Sequence, residues 1–149
     1  MPVKSKIPSI RKKYSEKETA LSIIESATSA VRQILAMEDV IEKHKREMLS
    51  DMIWKISEAN GRWNTRYFSE GVYKDDDAKL QHEHVVTRKQ IIDQLLENPE
   101  KYKTILKKVT ACVVTTDEHQ RLNNSESGWE RYKKADVKVW DRLEEKWLW

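Results

Sequence analysis

Between Pro8 and Gly61 the chain contains neither glycine nor proline. These residues are the strongest helix breakers, so nothing in the interval stops a helix. Leu21, Ile24, Thr28, Val31 and Leu35 recur at spacings of three and four and form one stripe of a helix. Ser15-Glu16-Lys17-Glu18 has the form of a capping box, with the Ser15 hydroxyl accepting from the Glu18 N–H. A second stripe runs through Ile41, Met48, Met52 and Ile56, with Leu49 and Ile53 beside it. The polarity at Glu38-Asp39 marks a break or a change of face. The pattern predicts two helices, about 16–37 and 39–59, as an antiparallel or kinked pair, with one long helix as the competing arrangement. Only about two heptads are clean, which favours an ordinary core over a coiled-coil seam.

At 149 residues and 17.7 kDa the chain suits one core. Charged residues make up 36% and mean hydropathy is −0.81. No apolar run approaches the roughly 20 residues of a membrane span, and no signal peptide is visible. The expectation is a cytoplasmic protein with no membrane partner. The single cysteine, Cys112, excludes an intramolecular disulfide and a Cys-rich zinc site, and its apolar surroundings predict a buried thiol.

The basic pI of about 8.9 has a local origin. Residues 1–14 carry Lys4, Lys6, Arg11, Lys12 and Lys13 and no acid, leaving 23 basic against 25 acidic residues in the remainder. This flexible arm can track nucleic-acid phosphates, or serve only as a solubilising tail. The arm, a helical pair over 15–60 and an α+β region over 61–149 make three segments.

In the third segment Asn60-Gly61 ends the second helix. Residues 62–74 are aromatic and basic and suit a short helix. Lys74-Asp75-Asp76-Asp77 reads as a solvated turn, because its spacing is not that of a calcium loop. Glu83-His84-Val85-Val86 is β-prone, and Thr87-Arg88-Lys89-Gln90 is a second capping box that opens a helix near Arg88. Asn98-Pro99 stops that helix and starts another over about 99–109. Ala111–Thr115 reads as a buried strand, and Thr115-Thr116-Asp117-Glu118 as a third capping box before a helix of about 116–124. The predicted fold is mainly helical α+β, an N-terminal helical pair with a small two-stranded ribbon and flanking helices. Pairing of the two strands brings His84 and His119 to one end of the ribbon.

Glu83-His84-Val85-Val86 followed by Cys112-Val113-Val114-Thr115-Thr116-Asp117-Glu118-His119-Gln120-Arg121-Leu122 resembles a divergent HNH, or ββα-metal, nuclease motif. The resemblance implies His84 as general base, Glu83 and His119 as ligands of a divalent metal (Mg or Mn, alternatively Zn), and Asn123 as a supporting polar residue. It further implies nucleic-acid contacts from Arg88, Lys89 and Arg121 together with the basic arm. The 35-residue gap from His84 to His119 is long, and no CxxC pairs brace the site. In a regular strand Glu83 and His84 project to opposite faces, so both serve one metal only if the strand ends or bulges there.

Trp129, Tyr132, Trp140, Trp147 and Trp149 crowd the last 21 residues. They close the core, or they form a docking surface for a protein partner or a stacking platform for single-stranded nucleic acid. Val137–Trp140 alternates like an edge strand, and Asp141 is placed to cap a last helix of about 142–149. The functional expectations are a small metal-dependent nuclease of phage or mobile-element type, a non-catalytic helical adaptor or inhibitor, and a basic-arm nucleic-acid binder.

Overall fold

The computed structural model describes residues 12–123 and 126–149. Helices α1 (Ala20–Ala36) and α2 (Glu42–Ser57) are separate. The break falls where polarity marks it. Asp39 takes a left-handed backbone (φ 56), which short polar side chains tolerate, and α2 folds back on α1. The single long helix is thereby excluded.

The start of α1 differs from expectation. The Ser15 capping box does not form, and the helix begins at Ala20 after Thr19, which makes no side-chain cap bond. Tertiary contacts claim the preceding backbone instead: Lys17 N–H donates to Asn60 Oδ1 (2.7 Å), and Asn64 Nδ2 donates to the Ser15 carbonyl (3.3 Å). The buried face is Ala20, Ala27, Val31 and Ile34. Of the predicted stripe only Val31 is fully buried, while Leu21 is 65% exposed. In α2 Leu49 and Ile53 are buried, with Met48, Met52 and Ile56 packed around them. These residues form one core with Ile91, Ile92 and Leu95 of α4 (Arg88–Glu97) and Ile105 and Leu106 of α5 (Tyr102–Leu106). A 3-10 turn, Pro99–Lys101, replaces the first turn of the helix expected over 99–109.

The ribbon is present within a larger sheet. Strands β2 (Leu80–His84) and β3 (Ala111–Thr115) pair antiparallel, with Glu83 opposite Cys112 and His84 opposite Ala111. Three short strands extend it: β1 (Tyr67–Ser69), β4 (Val139–Asp141) and β5 (Lys146–Trp147). The order is β2-β3-β1-β4-β5, with β1 parallel to β3 and every other pair antiparallel. Strands of two or three residues are too short to show an alternation, which is why β1 and β5 escape a reading of periodicity; the alternating Val137–Trp140 run overlaps β4, which lies between β1 and β5 and not at an edge. Residues 62–74 accordingly hold β1 and the one-and-a-half-turn α3 (Glu70–Lys74), not one helix.

The C-terminal helix expected over 142–149 is a hairpin. Asp141 does cap, accepting from the N–H groups of Leu143 (2.9 Å) and Glu144 (3.2 Å), but the turn leads to β5. Trp140 lies opposite Trp147 with ring centroids 5.2 Å apart, and this cross-strand pair favours the hairpin. Asp141 is also held by the fork of Arg66, at 2.9 and 2.7 Å.

One sheet face packs Cys112, Val114 and Val139 against Leu122, Tyr132 and Val137, and Tyr132 belongs to α7 (Trp129–Lys134). The other packs Phe68 and Val113 against Val72, Trp63 and Leu80. No described helix is long and apolar enough to cross a membrane.

The displaced α1 stripe can be measured. Leu49→Ala should lower the unfolding free energy by about 2–5 kcal/mol. Leu21→Ala should change it by less than about 0.5 kcal/mol. Urea denaturation followed by circular dichroism reads both.

Candidate functional site

Thr115 ends β3 and caps α6 (Thr116–Arg121). Its hydroxyl accepts from Glu118 N–H (3.2 Å), and Glu118 Oε1 accepts from Thr115 N–H (2.9 Å), the capping box read from sequence. The buried Glu118 carboxylate does more than a cap requires. It also accepts from Ser69 Oγ (2.5 Å) and Gly71 N–H (3.2 Å), tying α6 to the end of β1 and the start of α3. A Cβ on Gly71 would stand 2.6 Å from Glu118 Oε1, so only glycine admits this approach. The orientation of α6 is thus fixed from its first turn, and with it the position of His119, one residue after Glu118.

His119 Nδ1 meets Glu83 Oε2 at 2.5 Å. A carboxylate accepts, so Nδ1 carries a proton, and Nε2 is directed away from Glu83. The other oxygen, Glu83 Oε1, accepts from Arg131 Nη2 at 3.1 Å. The same nitrogen donates to the carbonyls of His84 and Val85. Arg131 is on α7 and is fully buried.

The neighbours of Glu83 along β2 face the other way. His82 and His84 share Ser57 at the end of α2, with Nε2–Oγ distances of 3.2 and 3.0 Å. His82 Nδ1 is 2.7 Å from the Arg62 carbonyl and must donate to it, which leaves its Nε2 an acceptor, while His84 Nε2 donates to the Ser57 hydroxyl. Ser57 Oγ is also 3.0 Å from the Trp54 carbonyl. The Trp54 carbonyl and His82 Nε2 compete for the single hydroxyl proton, and Ser57 serves as a joint between sheet and helix. The Trp54 ring lies 4.6 Å from that of His84 and 5.3 Å from that of His82. His84 is only 7% exposed. Burial, reinforced by the neighbouring His82, Arg88 and Arg131, pushes its pKa from the ordinary 6.5 down to about 3, and burial lowers that of His82 as well.

Because β2 is an edge strand, both sets of side chains reach one cleft of about 520 Å³ around its free edge. His82, Glu83, His84 and His119 line it with Trp54, and Arg62, Arg88 and Lys89 bring positive charge to its wall. Arg88 is held by Ser50 (2.6 Å) and lies 5.0 Å over the Trp54 ring. Glu83 is the one carboxylate among the described lining residues.

Glu83 and His119 are therefore hydrogen-bonded directly to each other. His84 shares their cleft but not their face, since β2 stays in register through Glu83 and His84 and neither ends nor bulges there. The condition for both to serve one ion is not met. Among the described residues no three His, Cys, Asp or Glu side chains are grouped to hold a metal. Asn123 lies beyond α6, where its carbonyl accepts from Glu126 N–H (3.4 Å), and does not border the cleft. Arg121 is away from it too, donating to the Ala135 carbonyl (2.8 Å) and lining a different depression with Glu70, Lys74 and Asp117. Lys89 reaches the cleft while paired with Asp93. Lys4, Lys6 and Arg11 lie outside the described residues. Lys12 and Lys13 belong to the folded body, because Arg142 Nε donates to the Lys12 carbonyl (3.3 Å) and Tyr14 N–H to the Arg142 carbonyl (3.4 Å).

Sequence reasoning missed Arg131, Ser57, Trp54 and Arg62, which approach the site from distant segments. His82 has no part in the motif, although the His82-x-His84 spacing places both imidazoles on one strand face. Of the C-terminal rings, Trp129 packs on Tyr67, Tyr132 and Trp149, and Trp140 and Trp147 pack on Tyr73. They chiefly close the core, with Trp147 left 36% exposed.

The depressed pKa of His84 has a measurable sign. The unfolded chain binds a proton near pH 6.5 that the folded imidazole refuses until about pH 3. Stability should therefore fall as pH drops below 6.5, by roughly 1.4 kcal/mol per pH unit from this group. His84→Gln should flatten that slope in urea titrations between pH 7 and about 4. Separately, Gly71→Ala should cost about 1–3 kcal/mol by displacing the Glu118 carboxylate, read by the same denaturation. No protein-family model, curated protein or solved structure matches the chain, and the functional reading rests on the geometry of this cleft.

Proposed function

We propose that this chain is a cytoplasmic HNH-like endonuclease that hydrolyses nucleic-acid phosphodiesters, with His119 as the general base. The observation that carries this reading is the 2.5 Å contact between His119 Nδ1 and Glu83 Oε2 in a cleft bordered by Arg62, Arg88 and Lys89. Glu83 holds the imidazole in the tautomer that leaves Nε2 free to accept a proton, and Arg131 holds Glu83. In the reaction, water attacks phosphorus and passes its proton to His119 Nε2. The P–O bond to the leaving oxygen breaks, and that oxygen takes a proton from solvent. Arg62, Arg88 and Lys89 offset the charge that grows on the phosphoryl oxygens.

His119 takes the role that the motif gives to His84, because His84 is buried and its Nε2 is engaged with Ser57. The motif would also have Glu83 and His119 hold a divalent metal, which would polarise the phosphate. The donor set as arranged does not fit a resident ion: each oxygen of Glu83 already accepts a hydrogen bond, one of them from a guanidinium, and the third residue is on the opposite face. No step here runs through a metal.

The test is cleavage of plasmid DNA and of RNA. His119→Ala should reduce the rate by about 10²–10⁴-fold with the circular dichroism spectrum unchanged. Cleavage should persist in EDTA. Activity lost in EDTA and restored by Mg²⁺, Mn²⁺ or Zn²⁺ would return Glu83 and His119 to the role of ligands. Absence of cleavage under every condition would sink the enzymatic reading. A second reading, a protein-binding adaptor or inhibitor, is favoured by one observation, the exposed Trp147 on the edge strand β5. It expects a stable protein complex that survives His119→Ala and is lost with Trp147→Ala.

A further inference from the structure

Next to the cleft at β2 is a second one of about 360 Å³, lined by Lys12, Lys13, Lys17 and Trp63 among others. Arg62 borders both clefts. No acidic side chain is among the described residues lining the second. Each cleft holds the same device, an arginine laid over a tryptophan: Arg62 over Trp63 at 5.0 Å, and Arg88 over Trp54 at 5.0 Å. The backbone that carries the lysines is held in place. Arg142 is buried and donates to the backbone at Lys12 and Thr65 and to the Asn64 side chain (3.0 Å). Lys17 N–H is fixed by Asn60. Arg62 stands beside Glu58 only at 4.0 Å and keeps about half of its side chain exposed.

Lysines spaced along a groove suit the repeating charge of a phosphate backbone. Arginine–tryptophan pairs offer flat surfaces on which an unpaired base can stack, and a paired base inside a duplex has no free face to offer them. We infer that the two clefts form one path for single-stranded nucleic acid, entering over Lys12, Lys13 and Lys17, crossing at Arg62 and Trp63, and ending at Arg88, Trp54 and His119. This deepens the proposed function by naming its substrate class. It rests on the cationic cleft of that reading and not on the cleavage chemistry.

The experiment uses the full chain with labelled oligothymidine and with the duplex of the same length. Binding is read by fluorescence anisotropy across a salt titration, and cleavage separately on gels. The single strand should bind about tenfold tighter than the duplex or better. Arg62→Ala should weaken single-strand binding about tenfold and lower the slope of log K against log salt by about one. Lys12→Glu combined with Lys13→Glu should lower the slope further. Trp63 packs against the Phe68 core, so Trp63→Phe serves as the folded control: it should retain binding, whereas Trp63→Leu should lose it. Lys101→Glu with Lys107→Glu, both exposed and lining neither cleft, should leave binding unchanged. Equal affinity for the duplex, indifference to Arg62→Ala, or an equal loss from the Lys101 and Lys107 reversals would overturn the path. Tight single-strand binding without cleavage would leave the path standing and remove the nuclease; cleavage without these binding effects would do the reverse.

Discussion

A buried guanidinium organises the end of this molecule where β2 meets α6 and α7. Arg131 is withdrawn from water, and a charge so placed is tolerated only when paired. Its Nη2 serves Glu83 and the carbonyls of His84 and Val85, where β2 leaves the sheet. Its Nε and Nη1 find no partner among the described residues, so the loss of hydration is offset from one side of the fork only. Removing either partner of such a pair costs about 3–5 kcal/mol, because the other charge is left stranded. The contact draws α7, β2 and, through Glu83, His119 of α6 to one point. The imidazole that we propose as the general base therefore depends on an arginine that does not border the cleft.

The edge strand gives its two faces different work. On one face Glu83 orients His119. On the other His82 and His84 are consumed in fastening β2 to α2 through Ser57. Kept neutral by burial, these two imidazoles act as hydrogen-bonding struts. The free edge lets a single cleft collect residues from both faces. Beyond residues 1–11 the chain carries 25 basic and 25 acidic residues, yet the clefts at β2 and at Trp63 are cationic. The carboxylates are spent elsewhere, Asp141 on Arg66, Asp93 on Arg46 and Lys89, and Glu118 on backbone and serine hydrogens. Net charge thus says little about where an anion would settle.

Legibility followed the range of the interaction. The Thr115 box formed as read, and of the Thr87 box the hydroxyl cap on Gln90 N–H formed, since each cap needs only a hydroxyl and an N–H three residues on. The Ser15 box has the same letters and failed, because Asn60 and Asn64 compete for its backbone. The stripe on α1 slipped because Ala20 and Ala27 face the core in place of bulkier neighbours, and periodicity alone weighs a small residue too lightly. The nearness of Glu83 to His119 follows from the pairing of the two strands, whereas the other partner of Glu83, Arg131, 48 residues away, had no local mark.

By itself, then, the chain determined its helix–strand punctuation: the break at Asp39, the caps at Thr87 and Thr115, and the pairing of two β-prone runs on either side of a helical excursion. These are settled by backbone conformation and hydrogen bonds within a few residues. The tertiary structure alone decided which imidazole would be oriented and which buried, that the last nine residues would turn back as a hairpin, and that Arg62 would link two cationic clefts. Those outcomes depend on which distant groups compete for the same donor, acceptor or dry surface, and that competition is resolved only when the segments meet.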